Sequence, residues 1–149
     1  MGKAILMYIA GNPSSCWTFT AYASQTLVAL GYHTLREPIA QSDEDVEIHA
    51  AMAWCYHFDR VMSLLLCRPL SLPPIQFPIA SLVPHNPGNS MAIFATVMLE
   101  LVPVHERILE LSLITHRERA SRPEASLNEE LTYLRSKMDE IYEMMEQVY

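Results

Sequence analysis

The sequence predicts an α/β fold, with helices packed on a mostly parallel sheet of four to five strands and an added C-terminal amphipathic helix. Three observations predict it. An apolar run, Ala4 to Ala10, meets a turn at Gly11-Asn12-Pro13-Ser14-Ser15, and a helix-spaced segment then runs to Leu30 before Gly31. A second run, Val61 to Leu66, is apolar without alternation, as in a strand buried on both faces. Helical segments separate such runs, which is the order of a parallel sheet.

Each element has its own local reason. Gly11 and Pro13 break the first run, and a serine there can cap the following helix. Phe19, Ala23, Leu27 and Leu30, with Tyr22, Thr26 and Ala29 beside them, recur at helical spacing. Gly31 ends that helix, because glycine tolerates the left-handed conformation. His33, Leu35 and then Pro38 predict a short second strand. Ser42 with Asp45 forms an acidic capping box, and the helix it opens is expected to reach about Phe58. Asp59 then opens the third strand and has a structural role. Residues 68–88 hold six prolines and read as a long ordered loop, either a binding lid or an apolar flap over the core. Asn89 to Leu101 is helical, Val102-Pro103-Val104 begins a strand or turn, and 105–119 is read as helix.

The last segment has the sharpest pattern. Leu127, Leu131, Leu134, Met138, Ile141, Met145 and Val148 repeat at spacings of four and three, a heptad seam. From Pro123 to Tyr149 there are seven acids and two bases, a net charge of −5. A narrow seam with acidic flanks predicts contact with another chain, either a homo-oligomer or a protein partner. The division expected is an α/β domain over 1–120 and a heptad helix over 121–149.

At 149 residues the chain is long enough for a sizeable core. A net charge of −7 argues against direct nucleic-acid binding, which needs a basic surface. Cys16, Cys55 and Cys67 have no metal-site spacing and read as reduced thiols of a cytoplasmic protein. The first apolar run is too short for a signal peptide. Met91 to Val104 contains Glu100 and falls short of the ~20 residues of a bilayer span, so no membrane association is expected. His49 and His57 lie eight apart, and Cys55, His57 and Asp59 do not share a helix face, so neither a metal nor a cofactor is expected.

Taken in order, Tyr8-Ile9-Ala10-Gly11-Asn12-Pro13, Leu30-Gly31-Tyr32 with Pro38, Asp59, Gly88 before a helix, and Val102-Pro103-Val104 carry a resemblance. Over about residues 3–105 the chain resembles the nucleoside 2-deoxyribosyltransferase-like superfamily, in its small phage and bacterial branch. The resemblance implies a small Rossmann-like three-layer domain whose first loop holds the sugar and phosphate of a nucleotide. It also implies two carboxylates that act at the sugar C1, and those positions here are Ala51 and Ile93. Glu47, one turn before Ala51 and about 6 Å away along the helix axis, is the one acid close enough to substitute.

The leading expectation is a non-catalytic protein on a degenerate N-glycosidase fold. It would bind a nucleotide- or nucleoside-like molecule through Tyr8, Gly11, Asn12, Ser14 and Ser15, with Gly88, Asn89 and Ser90 at the next helix start. The alternative is an interaction or inhibitor protein acting through the C-terminal helix and the proline-rich loop. A third reading is a nucleotide N-glycosidase with Glu47 as its catalytic carboxylate.

Overall fold

Helices make up most of the described residues. The structure, a computed structural model, describes residues 2–34, 40, 42–75, 78–83, 90–113 and 123–146. Among the described residues six α-helices follow in order: α1 (Gly2–Ile9), α2 (Pro13–Ala29), α3 (Asp43–Leu66), α4 (Ser90–Glu100), α5 (Val102–Leu113) and α6 (Glu124–Glu146). Short 3-10 turns lie at Tyr32–Thr34 and Ile79–Leu82. Among the described residues there is no strand, so the fold is all-α. The Rossmann-like sheet and the nucleoside deoxyribosyltransferase-like architecture expected from the sequence are both overturned.

Each expected strand fails for a physical reason. The first run is α1, because seven consecutive apolar residues carry no periodicity to separate strand from helix. Gly11 does not break a strand; it closes α1 in the left-handed conformation, at φ 68°. Its N–H donates to the Tyr8 carbonyl, and the Asn12 N–H donates to the Met7 carbonyl. This is a Schellman end. Asn12 at once caps α2, its side chain accepting from the Ser15 N–H, and Pro13 takes the first helical position. Nothing lies within 4 Å of a Cβ added at Gly11, so only the backbone resists substitution. Gly11→Ala should therefore cost about 1–2 kcal/mol in urea denaturation, the left-handed penalty alone. An unchanged midpoint would contradict this helix end.

The second expected strand is in part a 3-10 turn at Tyr32–Thr34; positions 35–39 lie outside the described residues. The third, Val61 to Leu66, is the C-terminal quarter of α3. No glycine or proline interrupts Asp43 to Leu66, and leucine and methionine favour helix. Its capping box forms as expected: the Ser42 hydroxyl accepts from the Asp45 N–H at 3.1 Å. The helix stops at Cys67, which is left-handed at φ 50°, two residues before Pro69. Pro103 sits in the first turn of α5, where a missing N–H costs nothing. The last helix, expected within 121–149, starts at Glu124.

α3 is the hub. All six residues from Cys55 to Arg60 are buried, which requires neighbours on every side. α1 and α2 cover one side, where Ala4, Cys16, Phe58 and Met62 form a small core. The main core joins Leu27 of α2, Met52, Ala53, Cys55 and Tyr56 of α3, Leu99 of α4 and Val102 of α5. Leu72, Ile79 and Leu82 of the proline-rich segment close it, so this segment is an apolar flap. α6 packs on α4 and α5 around Val97, Val104 and Ile141.

Candidate functional site

Two charges, Asp59 and Arg60, lie fully buried in the middle of α3. Buried charges persist only when paired and hydrogen-bonded. Asp59 accepts from the Ser71 N–H at 2.9 Å and from the Leu72 N–H at 3.0 Å, and it pairs with Arg60 at 2.9 Å. Arg60 donates from Nε to Glu106 of α5, also at 2.9 Å. The guanidinium lies 3.4 Å over the Tyr56 ring, one turn back on α3. Tyr56 donates to Glu106 at 2.6 Å, and its oxygen accepts from the Ile75 N–H at 3.3 Å. Burial and the Glu106 carboxylate push the Tyr56 hydroxyl up to about 12, so it stays a donor. The cluster thus binds the flap at Ser71, Leu72 and Ile75 to α3 and α5. Apart from Arg60 Nη2, which meets no hydrogen-bond partner among the described residues, its groups are occupied with one another, so it acts as a structural tie.

Beside it, His57 of α3 faces His105 of α5, with ring centroids 6.1 Å apart. His57 is also packed edge-on against Trp54 and Phe58. Nδ1 of neither histidine meets a hydrogen-bond partner among the described residues. Burial, reinforced by His105, drives the His57 pKa down to about 4; a backbone hydrogen bond at Met98 opposes this. Burial lowers that of His105 as well. Among the described residues there is no group of three or more side chains able to hold a metal ion. Cys55 enters the main core, His57 turns to α5 and Asp59 to the flap, so the three diverge.

The residues expected at a nucleotide loop do not form a sheet-edge site. Tyr8 packs its ring edge-on to Phe58, at 5.7 Å between centroids. Gly11 and Asn12 are the helix-to-helix turn described above. Ser14 is exposed, its carbonyl accepting from the Thr18 hydroxyl, and Ser15 gives its N–H to Asn12. Ser90 is the first residue of α4; Gly88 and Asn89 lie outside the described residues. Glu47 is exposed near the start of α3, and Ala51 and Ile93 are half-buried on α3 and α4. The ordered acids and bases instead gather at Asp59, Arg60 and Glu106. Their sequence signal was the isolation of Asp59-Arg60 in the otherwise uncharged stretch 48–67, and the four-residue step from Tyr56 to Arg60.

The heptad seam divides. Ile141 is buried and Leu134 half-buried against α4 and α5, with Met144 beside them. Arg107 of α5 pairs with Glu130 and fastens the first half of α6. Leu127, Leu131, Met138 and Met145 remain exposed, joined by Tyr142; Val148 lies outside the described residues. At 100° per residue these five fall within about 60° of one another, on the flank of the buried face. Two residues of the seam are thus consumed inside the chain and four are open.

These features define an all-helical protein with a tied proline-rich flap and an open, acid-flanked apolar stripe. Comparison with protein-family models, with curated proteins and with solved structures gives no match. No helix of the described residues is long and apolar enough to cross a membrane.

Proposed function

We propose that this chain is a protein-interaction module whose α6 receives a helix of another protein. The observation that carries the reading is the division of the seam. Leu134 and Ile141 anchor α6 to its own core, while Leu127, Leu131, Met138 and Met145 are held outward. An apolar stripe on an anchored helix meets a partner helix at low ordering cost. The charge selects the partner. Seven acids and two bases in 123–149 would repel a second α6 and attract a helix with lysine or arginine beside its apolar seam.

Binding of labelled amphipathic peptides to the full chain tests this by fluorescence anisotropy. A leucine-seam peptide with lysine flanks should bind, and its glutamate-flanked counterpart should not. Affinity should fall as salt is raised. Leu131→Glu with Met138→Glu should weaken binding at least roughly tenfold, since each glutamate loses water against apolar neighbours. Equal binding of both peptides, or binding that survives the double substitution, would exclude this surface.

A further inference from the structure

Residues 2–34 contain a single charge, Lys3, although the whole chain carries 17 acids and 10 bases. They form the α1–α2 hairpin. Its outer side exposes Ile5, Leu6 and Ile9 of α1 and Phe19, Tyr22 and Leu30 of α2, at 36–75 % each. The last three fall on one row of α2, within about 80° at 100° per residue. The Lys3 ammonium, 6.0 Å from the centre of the Phe19 ring, joins the two helices at this surface. Only Ala4 of α1 is buried, so most of that short helix's apolar surface faces outward.

We propose that this hairpin is a self-association face, covered in solution by the same face of a second copy. Charge decides the occupant. A two-fold interface sets each patch against itself, so any net charge on it meets its own sign. In a chain of net charge −7 the hairpin, with Lys3 as its one charged side chain, is where two copies meet with least of that repulsion, whereas α6 would set its acids against themselves. Interface centres are depleted in charge and rich in aromatic and large aliphatic residues, as here. The area also suffices. The six side chains expose roughly 600 Å² of apolar surface per copy, taking about 150–250 Å² for a large side chain. A standard interface needs about 800 Å² per partner, of which somewhat over half is apolar. The face is separate from the α6 stripe, so either can fail without the other.

Sedimentation equilibrium of the full chain tests the proposal. The wild type should show a dimer mass at tens of micromolar, no weaker in high salt. Ile9→Glu and Leu6→Glu should each raise the dissociation constant at least roughly tenfold, because two carboxylates are then buried per dimer. Both side chains are exposed, so circular dichroism should be unchanged, and so should the melting temperature at a concentration low enough that the wild type is monomeric. Leu131→Glu with Met138→Glu should leave the dimer intact. A wild type that stays monomeric at several hundred micromolar overturns the proposal, as does a dimer that survives both hairpin substitutions. Monomers that instead sediment with neutral phosphatidylcholine vesicles, and lose this with Ile9→Glu, also overturn it by making lipid the occupant.

Discussion

Arg60→Met is expected to lower the unfolding free energy by about 3–5 kcal/mol, the usual effect of removing one partner from a buried ion pair. For a chain of this size that is roughly a 10 °C fall in melting temperature. The cause is Asp59. It is fully buried, and without Arg60 its charge is met, among the described residues, only by the Ser71 and Leu72 amides. Glu106 suffers less, because its side chain keeps 32 % of its exposure and reaches water. Asp59→Asn should also destabilise, by stranding the guanidinium's inner side and weakening the hold on the flap. The double variant should cost less than the two singles together by about 1–3 kcal/mol, as expected for groups in direct contact. The flap gives a second readout: hydrogen exchange at Ser71 and Leu72 should quicken in both single variants. A loss under 1 kcal/mol for Arg60→Met, with exchange unchanged, would mean that the network does not tie the segment.

The second large effect is acid lability from His57. Its folded pKa of about 4 lies below the ordinary 6.5. Between those values the unfolded chain binds more protons than the folded one, so stability falls as pH falls. The contribution is fully present above pH 6.5 and is lost down to about pH 4. The shift corresponds to about 3 kcal/mol in all, and about 2 kcal/mol is already gone at pH 5. His105, also lowered by burial, adds in the same direction. Protonating either ring sets a cation 6.1 Å from its neighbour, at the junction of α3 and α5. His57→Phe removes the titration while keeping a ring against Trp54 and Phe58. Urea titrations at pH 7 and 5 should therefore differ much less in the variant than in the wild type. A wild type equally stable at both values would refute this assignment.

The limits of the sequence can be placed at particular residues. Two capping signals act where the local pattern puts them, Ser42 with Asp45 and Gly31 after α2, whereas α2 is capped by Asn12 and not by the expected serine. The same glycine chemistry at Gly11 closes a helix, α1, where a strand end is expected. A left-handed glycine followed by Asn-Pro ends a helix and starts another as readily as it ends a strand. The apolar runs at 4–10 and 61–66 were the weak points, since buried helix and buried strand share an unbroken apolar pattern. The decisive cue at 61–66 was the lack of any breaker after Asp43. With the sheet gone, the reason for placing a ligand at the Gly11 loop goes too, since that placement depended on strand ends.

By itself the sequence determined two helix boundaries, the start at Ser42 and the stop at Gly31, where charge is concentrated and where it is missing, and that the last helix carries an apolar seam. These are properties of neighbours along the chain. Only the tertiary structure decided which apolar surfaces are used up. It buried Ile141, left Leu131 and Met138 exposed, and turned the outer side of α1 to solvent. It also brought Glu106 to Arg60 across 46 positions and set the flap amides on Asp59. The physical reason is that burial depends on which helices meet. Packing around α3 assigns each face a partner or leaves it open, and no local spacing encodes that assignment.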